Sequence, residues 1–541
     1  MKILKISILL ILVSTLLLSD ILTVPESTDF KKTSLYNDVL GFLHTLKKLS
    51  GKIRLATLGT TTEGKEIPLV IVSKDGISSP EQMKTLNKSA ILFIGNIHAG
   101  EVEGKEASLM FLRDISENKY DNLIKEQIIL FVPIFNADGN DKLGKNRRDN
   151  GPELAGVRHN GQHLDLNRDY IKLESPEVNA LVKLFKEWDP VLFVDLHTTN
   201  GSYHREPLTY STLSNPNSSK KLINYMWKIM FPKIKKIMKE KYKTDTIPYG
   251  NFVDRTDPSK GWQNHAYQAM FGTNYVGLRN RFTILNENYS HADFRTRVMS
   301  AYYFIRSIIE FTSKNIKKME IIVKNADLRT MNYYSLNKHA LTYSPEKLLE
   351  FTIKSYEFEK KKIRPEERSK YPPWIKDFII KKTDRLKDYK VDYFAMAKPI
   401  KSVNIPKGYF ILPHHKEVIE NLTKHGIIVE RIKEDVSDTF NNYLIKEIKY
   451  GQSLYQGHIL LKIKGKYEKA LITIPKDSYY ITLKQPLARL IVEMLEPESQ
   501  DSLLRWGFFN KEIIMQWTGK PKKYPIYKYN GIEDNLMLIR E

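Results

Sequence analysis

A histidine and a glutamate three positions apart, His98 and Glu101, follow directly on an apolar, β-favouring run that stops at Asn96. The pattern after them becomes helical, so both side chains fall in the turn between a buried strand and a helix. Imidazole and carboxylate are metal ligands, and a chain without cysteine must hold any metal through histidine, aspartate or glutamate. The pair therefore indicates a metal site at the end of this strand.

The spacing alone does not identify the site, because 13 histidines produce about one such pair by chance. A second H-x-x-E pair, formed by His414 and Glu417, also follows a strand-like run. The residues around each pair must therefore distinguish them.

Other polar side chains stand at the ends of strand-like runs in the first half of the chain. The run "PVLFVDLH" ends at His197, "FTILNE" ends at Glu287, and "LDLNRDY" carries Asn167 and Arg168. In open α/β sheets, ligands collect beyond the carboxyl ends of the strands, where these residues are expected to meet. A catalytic zinc site needs three protein ligands and one open position. His414 has no comparable neighbours and is predicted to be an ordinary surface residue.

Together these motifs closely resemble the zinc carboxypeptidase family, the carboxypeptidase A-like metallopeptidases, from about residue 33 to residue 310. The resemblance implies one zinc ion per chain, held by two histidines and one glutamate as in carboxypeptidase A. The family's H-x-x-E matches His98 and Glu101, and its distant third ligand matches His197. Its Asn-Arg pair, which binds the terminal carboxylate of the substrate, matches Asn167 and Arg168.

The resemblance also implies catalytic roles. The family's catalytic glutamate matches Glu287, and the turn "NADG" from Asn136 is similar to the family's Asn-Pro-Asp-Gly-like turn. The arginine that polarises the scissile carbonyl falls in "KNRRDNGPE", as Arg147 or Arg148. These residue types suit the chemistry. A carboxylate accepts and returns a proton, an arginine stabilises a developing oxyanion, and a planar guanidinium binds a carboxylate in bidentate fashion.

Four further residues have open assignments. Tyr267 and Tyr275 are candidates for the family's mobile tyrosine, which covers the bound substrate. Asp195 either orients a metal ligand or has a structural role, since it is expected to alternate away from the third ligand along the strand. Glu103 is predicted to be a helix N-terminal acid, and it is the nearest alternative to Glu287 as the base.

The elements that carry these residues alternate between strand and helix. Apolar spacing predicts a helix from Tyr36 to Leu49, followed by a hairpin in "IRLATLGTTTEGKEIPLVIVSK". Buried strand-like runs then alternate with helical segments, which predicts an α/β fold with a mainly parallel, mixed central sheet flanked by helices. A helical stretch from Phe294 to Lys318 is expected to close this domain.

The pattern of the sequence changes beyond about residue 327. The sequence therefore predicts a signal peptide at 1–20, a catalytic domain at 21–327 and a smaller C-terminal α+β domain of unknown role at 328–541. In the last of these, "YEFEKKKIRPEERSKYPPW" is interpreted as surface or linker, "YFILPHHKEVIENLTKHGIIVERI" as strand, helix and strand, and "HILLKIKGKYEKALITIP" as a hairpin.

Two compositional features bear on partners and location. The net charge is +22, but the lysines are scattered and no RNA-binding signature is present, so no nucleic-acid partner is expected. At the N-terminus, two lysines precede an apolar run from Ile6 to Leu18, as in a secretory signal. The protein is therefore expected to be exported, periplasmic or secreted. The alternative is an uncleaved N-terminal membrane anchor.

The sequence as a whole predicts an exported zinc metallocarboxypeptidase acting on peptides with a free C-terminal carboxylate. One alternative keeps the metal chemistry but changes the substrate to cell-wall peptides or another amide next to a carboxylate. An alternative of another class is a non-catalytic peptide-binding protein on the same scaffold. A base beside an open metal site argues against it, because a binding protein has no use for that base.

Overall fold

The computed structural model describes residues 21–146, 148, 150–264, 266–370, 378–513 and 523–540. Two predictions lie outside these residues, namely the signal peptide at 1–20 and the placement of Arg147. No helix in the described part of the chain is both long enough and apolar enough to cross a membrane.

An eight-stranded mixed sheet forms the centre of the first half of the chain, in the order β1-β2-β4-β3-β7-β12-β8-β9. Its four central strands, β4, β3, β7 and β12, run parallel to one another, and antiparallel strands flank them. The strands of this sheet are β1 Ile53–Thr60, β2 Glu66–Val72, β3 Ser89–Gly95, β4 Gln127–Val132, β7 Leu192–Thr199, β8 Leu208–Ser211, β9 Thr246–Pro248 and β12 Phe282–Tyr289. A short hairpin, β5 Gly144–Lys145 and β6 Leu154–Ala155, lies apart from it.

Helices cover both faces of this sheet, because strands such as β3 and β4 are buried along their whole length and need apolar partners on each side. Helices α2, α4 and α10 pack on one face, and α6 and α9 pack on the other. The α-helices are α1 Val24–Ser27, α2 Tyr36–Leu49, α3 Pro80–Thr85, α4 Glu103–Ser116, α5 Ala137–Asp141, α6 Pro176–Trp188, α7 Lys220–Tyr225, α8 Phe231–Tyr242, α9 Gly272–Leu278, α10 Phe294–Tyr333, α11 Lys416–Lys424, α12 Ala488–Leu495 and α13 Asn510–Ile513.

The predicted α/β architecture is confirmed. The first long helix spans Tyr36–Leu49 as expected, and the hairpin that follows it is the antiparallel pair β1–β2. Helix α10 begins at Phe294 as predicted but runs to Tyr333, so the predicted domain boundary at 327 falls inside a helix.

A long two-stranded arm follows α10. It consists of β13 Lys338–Lys362 and β14 Phe378–Asn404, paired antiparallel. The arm joins two short strands of the first half of the chain, β10 Asn251–Phe252 and β11 Trp262–Gln263, in a four-stranded sheet. Of the two interpretations of "YEFEKKK", surface or linker, linker is wrong, because these residues form the end of β13, and surface is confirmed, because none of them is buried.

The last part of the chain forms a seven-stranded sheet in the order β18-β17-β20-β15-β19-β16-β21. Its strands are β15 Gly408–Ile411, β16 Glu430–Ile432, β17 Val436–Tyr450, β18 Leu461–Ile474, β19 Tyr479–Thr482, β20 Lys523–Tyr529 and β21 Leu538–Arg540. The predicted strand, helix and strand are confirmed as β15, α11 and β16. The hairpin predicted in "HILLKIKGKYEKALITIP" is wrong, because its core is the single strand β18, paired with β17.

Candidate active site

The turn between β3 and α4 brings His98 and Glu101 together at the carboxyl end of the sheet. Asn96 redirects the chain with a left-handed backbone (φ 65°), a conformation that asparagine tolerates. Its side-chain amide donates to the carbonyl oxygen of Ala99 at 3.1 Å. The backbone N–H of Glu101 donates to the carbonyl of His98 at 2.9 Å, which closes the turn. Because they are three residues apart in a tight turn, the side chains of His98 and Glu101 lie on the same side of that turn.

Two neighbouring parallel strands supply the opposite wall of the site. His197 on β7 lies directly across from Glu287 on β12 in the strand register. Directly opposed residues of adjacent strands share one face of a sheet, so both side chains face the same cavity as His98. The site is therefore built from the ends of β3, β7 and β12, where sequence reasoning placed it.

The three predicted metal ligands form one compact group of buried side chains. The carboxylate of Glu101 lies between the imidazoles, with Oε1 at 3.1 Å from Nδ1 of His98 and Oε2 at 3.0 Å from Nδ1 of His197. One ligand atom from each residue lies within 4.8 Å of the other two. The structure thus brings together the two histidines and the glutamate that the motif predicts.

The outer nitrogen of each histidine faces a buried aspartate. Nε2 of His98 lies 3.0 Å from Oδ1 of Asp165, and Nε2 of His197 lies 2.9 Å from Oδ2 of Asp195. Asp195 is fully buried, and it acts on His197 through both its charge and this contact. The expectation that Asp195 alternates away from His197 is wrong, since residues two apart on a strand point to the same face.

The charged side chains of this group shift one another's pKa values. Although burial disfavours ionisation, His98, His197 and Arg148 together hold the pKa of the Glu101 carboxyl well below its usual range. Burial likewise disfavours an imidazolium, but Asp195 and Glu101 raise the pKa of His197 well above its usual value. The site therefore carries an ionised Glu101 carboxylate held among basic side chains.

Glu287 is the second carboxyl of the site, and its environment differs from that of Glu101. Burial raises its pKa to about 8, and the negative charges of Glu101 and Asp195 act in the same direction. His197 and Arg148 act against them and favour the carboxylate. Two carboxyls with pKa values shifted in opposite directions are the pattern of a site in which one group binds and the other transfers protons.

Arginines supply the positive charge of the site. Nη2 of Arg148 lies 2.9 Å from Oε1 of Glu101, and the same guanidinium donates to the carbonyl oxygens of Gly100 and Thr198. Arg158, which sequence reasoning missed, lies 3.5 Å from Oε1 of Glu101 and donates through Nε to Oδ2 of Asp165 at 2.9 Å. No motif in the sequence contains Arg158. It lies in the irregular, charged segment between β6 and the turn at Leu166–Arg168, and this position alone could have drawn attention to it.

The predicted carboxylate-binding pair lies in the turn at 166–168 and lines the same cavity. Asn167 accepts a hydrogen bond from the backbone N–H of Gly272 at 2.9 Å, and its Nδ2 lies 3.5 Å from Nε2 of His197. The guanidinium of Arg168 stacks on the ring of Phe271, 4.3 Å from its centroid. Both residues are therefore fixed by neighbours in the wall of the cavity.

Neither tyrosine proposed as the substrate cover lines the cavity. Tyr267 is buried, and Tyr275 is fully buried with its hydroxyl 2.7 Å from Nδ1 of His425. Tyr249, which follows β9 directly, is the tyrosine found in the cavity wall among the described residues. Sequence reasoning missed it because a single tyrosine after a three-residue strand carries no periodic signal.

The cavity itself has a volume of about 700 Å³. Four arginine and lysine side chains line it against two glutamates, and Phe271, Leu285 and Tyr249 supply apolar surface; the basic residues are Lys145, Arg148, Arg158 and Arg168. Such an excess of positive charge in a cleft attracts an anionic ligand. The cavity thus combines apolar surface with basic groups that favour an anionic ligand.

The structure shows the surroundings of Glu103, the alternative base, and of the second H-x-x-E pair. Glu103 is fully buried, and its carboxylate accepts from Nε of Arg297 at 2.7 Å and from the hydroxyl of Thr198, so it is part of a closed ion pair. In the second H-x-x-E pair, Glu417 is exposed and lies 3.9 Å from Nζ of Lys511. It is not among the metal-binding groups found in the described residues.

A carboxylate from a different element, Glu512 of α13, nevertheless lies close to His414. His414 lies 3.3 Å from Oε1 of Glu512, and Nε2 of His415 lies 3.2 Å from the same oxygen. These three residues form a second group able to hold a metal, but His414 is exposed and no large cavity accompanies it among the described pockets.

Comparison with known proteins bears directly on this site. Residues 39–279 match the family model for zinc carboxypeptidase, a stretch that contains His98, Glu101, Asn167, Arg168 and His197. This match and the ligand set support a metallopeptidase. This match covers a little under half of the chain and makes the segment similar to the zinc carboxypeptidase family.

Solved structures of carboxypeptidases are similar to the chain at low identity. A putative carboxypeptidase A from Shewanella denitrificans is 20% identical, with 52% of this chain and 69% of that chain covered at a TM-score of 0.40. A metallo-carboxypeptidase from Pseudomonas aeruginosa, in complex with (2-guanidinoethylmercapto)succinic acid, is 14% identical over 53% of this chain and 70% of that chain, with a TM-score of 0.39. Carboxypeptidase A from Helicoverpa armigera is 14% identical over 55% and 75%, also with a TM-score of 0.39. No curated protein matches the chain.

The family implies one zinc ion, and the donor set fits it. Both Nδ1 atoms face Glu101, while both Nε2 atoms face aspartates. This arrangement favours the tautomer that carries its proton on Nε2 and leaves the Nδ1 lone pair for a metal. Two imidazoles and one carboxylate are also the ligand types of a catalytic zinc site. His98, Glu101 and His197 would therefore hold the zinc.

Replacing Asp195 by asparagine should weaken zinc binding without unfolding the protein. The variant keeps the size of the side chain but removes the charge that raises the pKa of His197. Loss of an outer partner of a zinc ligand typically costs about 10- to 100-fold in metal affinity. Competition with a chelator measures this affinity, and Asp75→Asn, at an exposed surface position, is the control that should leave it unchanged. Equal affinities for Asp195→Asn and wild type would show that Asp195 is structural.

Proposed function

We propose that the chain is a zinc metallocarboxypeptidase that hydrolyses the C-terminal peptide bond of peptides or proteins. The observation that carries the proposal is that one cavity of about 700 Å³ contains the predicted ligand set, Glu287 and Arg168. A metal site with a neighbouring base is suited to the hydrolysis of amides in general. An arginine in the same cavity adds recognition of a chain end, because guanidinium binds carboxylate in bidentate fashion.

The chemistry divides among a few residues of the cavity. Zinc, when bound, supplies a Lewis acid that polarises the scissile carbonyl and acidifies the attacking water. Glu287 takes a proton from that water at its carboxylate and passes it to the amine that leaves. Its buried position and raised pKa support this role, because a base with a pKa near the working pH holds and releases a proton with little cost.

Arg148 is the described residue best placed to stabilise the negative charge that develops on the carbonyl oxygen. It is anchored by two backbone carbonyls and lies beside Glu101, so its guanidinium is held in position before the reaction. Arg158 lies next to it and adds positive charge to the same wall. Arg147, the other predicted candidate, lies outside the described residues.

Amidating the C-terminus of a peptide substrate should sharply reduce its hydrolysis. If Arg168 binds the terminal carboxylate, the amide loses a charge-assisted bidentate contact worth on the order of 2–3 kcal/mol, or about 30- to 150-fold in kcat/KM. A matched pair of peptides, identical except for a free or amidated C-terminus, measures the difference.

The controls use two basic residues of the same cavity. Arg168→Ala should remove most of the discrimination between free and amidated peptide, whereas Lys145→Ala, at the cavity rim, should retain it. If wild type hydrolyses both peptides equally, the enzyme is not an exopeptidase of this kind. The alternative of a cell-wall peptide hydrolase or another zinc-dependent amidase would then replace it.

We also propose that the protein is exported. Support comes from the sequence alone, in the two lysines and the apolar run from Ile6 to Leu18. N-terminal sequencing of protein recovered from the growth medium or periplasm tests this: a start near residue 20 fits a cleaved signal, whereas an intact N-terminus in the membrane fraction fits an anchor.

A further inference from the structure

The connection between β17 and β18, residues 451–460, reaches the active site from the C-terminal part of the chain. Its tip is the tight turn Tyr455–His458, closed by hydrogen bonds between these two residues in both directions, at 2.8 and 3.1 Å. Gln456 and Gly457 have φ values of 52° and 79°. Positive φ at both central residues is the pattern of a type I′ turn, in which glutamine is a strained choice at the first position. Such strain is retained where surrounding contacts fix the residue.

Tyr455 contacts the residue proposed to bind the substrate carboxylate. Its hydroxyl oxygen accepts a hydrogen bond from Nε of Arg168 at 3.1 Å. The same guanidinium stacks on Phe271 and donates through Nη1 to the carbonyl oxygen of Asn167 at 2.8 Å. No described residue accepts a hydrogen bond from its Nη2 atom. Tyr455 thus helps to fix the plane of a guanidinium whose remaining donor is left for a ligand in the cavity.

Gln456 contacts the segment just before this arginine. Its Oε1 accepts from the backbone N–H of Asp165 at 2.8 Å, and Asp165 in turn lies against Nε2 of His98. His458 adds a third contact, with Nε2 at 2.6 Å from Oε1 of Glu174. One turn therefore holds the segment 165–174, which carries both the carboxylate-binding pair and the aspartate behind a predicted metal ligand.

The turn is supported from behind rather than left loose. The rings of Tyr455 and His458 pack on Trp506, with centroid distances of 6.1 and 5.7 Å. Trp506 is 1% exposed, and Nζ of Lys172, which belongs to the segment 165–174, lies 4.8 Å from the centroid of its ring. Side chains held by packing on a buried aromatic residue have few alternative rotamers. The geometry at Arg168 therefore depends on the C-terminal part of the chain.

We propose that Tyr455 is a positioning residue for Arg168, and that the β17–β18 turn completes the recognition site for the substrate's terminal carboxylate. This inference rests on the proposed carboxypeptidase activity and gives the C-terminal sheet a role in it. The hydroxyl of Tyr455 orients the guanidinium, so that the carboxylate meets a prearranged group instead of a mobile side chain.

Replacing Tyr455 by phenylalanine tests the inference, because the ring remains against Trp506 while the hydroxyl that accepts from Arg168 is lost, together with its weak 3.9 Å contact to Sδ of Met270. The ratio of kcat/KM for free and amidated peptide should fall by about 3- to 10-fold, mainly through a higher KM for the free peptide. Zinc content, melting temperature and hydrolysis of the amidated peptide should stay at wild-type values. The matched control is Tyr450→Phe, the same change at an exposed position on β17.

A double-mutant cycle adds an independent measurement. Lysine has no Nε–H equivalent in that position, so Tyr455→Phe should have no further effect on discrimination in an Arg168→Lys background. An additive loss in that background would overturn the inference. If Tyr455→Phe does not fold, Gln456→Ala, which loosens the same turn, should lower the ratio in the same direction, and an unchanged ratio would overturn the inference.

The outcomes separate this inference from the proposed function. If wild type does not distinguish free from amidated peptide, the carboxypeptidase proposal itself fails. If wild type distinguishes them and folded Tyr455→Phe distinguishes them equally well, carboxypeptidase activity stands and the positioning role of Tyr455 is wrong.

Discussion

His98→Ala and His197→Ala should each lose zinc and, with it, peptide hydrolysis. A catalytic zinc site has three protein ligands, so each variant leaves two. Loss of an outer-sphere partner already costs about 10- to 100-fold in affinity, and loss of a direct ligand should cost more. Metal analysis of the purified variants after dialysis against a weak chelator should therefore give far less than one zinc per chain.

The second histidine group provides the control for this experiment. His414 and His415 lie beside Glu512 at the surface, so they test whether any pair of histidines near a carboxylate holds the ion. His414→Ala should keep its zinc and its activity. Full zinc occupancy in His98→Ala or His197→Ala would contradict the assignment, as would loss of zinc in His414→Ala alone.

The sheet and the ligand motif were predictable because both depend on short-range patterns. Buried strands separated by helices are visible as apolar runs, and their carboxyl ends share one edge of a parallel sheet. His98 lies three residues beyond β3, and His197 and Glu287 each lie two residues before the end of their strand, so strand assignment alone places them in one region. The error at Asp195 came from its alternation, since the period of two puts it on the same side as His197.

The contacts that escaped prediction connect residues far apart in the chain. Tyr455 and Arg168 are 287 positions apart, and no pattern in either segment indicates that they meet. A glycine between two lysines, such as Gly465, is compatible with a turn and does not distinguish a hairpin from a single strand. In the structure it lies within a strand, where a Cβ would come 2.1 Å from the carbonyl oxygen of Leu444. Close approach of backbone, rather than a turn, explains this glycine.

Glu287→Gln should leave the zinc in place and nearly abolish turnover. Glu287 is not among the three predicted ligands, so the variant is expected to fold, to bind one zinc and to bind substrate within a few-fold of wild type. Its carboxylate is proposed to transfer protons, and general acid–base catalysis typically contributes about 10²- to 10⁴-fold. The value of kcat should therefore fall by at least about 10²-fold, as measured by steady-state kinetics on a peptide with a free C-terminus.

The pH dependence of this variant should change in a defined direction. Burial raises the pKa of the Glu287 carboxyl to about 8 without the metal, and a nearby zinc ion favours the carboxylate and lowers that pKa. Because the base acts as a carboxylate, wild-type kcat/KM should fall as the pH drops below the pKa that applies with zinc bound. Glutamine does not titrate, so the residual activity of Glu287→Gln should lack this acidic limb.

Glu103 is the comparison that makes the Glu287 experiment decisive. Its carboxylate is held by Arg297 and Thr198 inside the protein, so a folded Glu103→Gln variant should retain turnover within about tenfold of wild type despite a lower melting temperature. Wild-type turnover in Glu287→Gln would exclude Glu287 as the base. If wild type itself binds peptides with zinc in place but cleaves none, the chain is a peptide-binding protein, and the raised pKa of Glu287 then has no catalytic role.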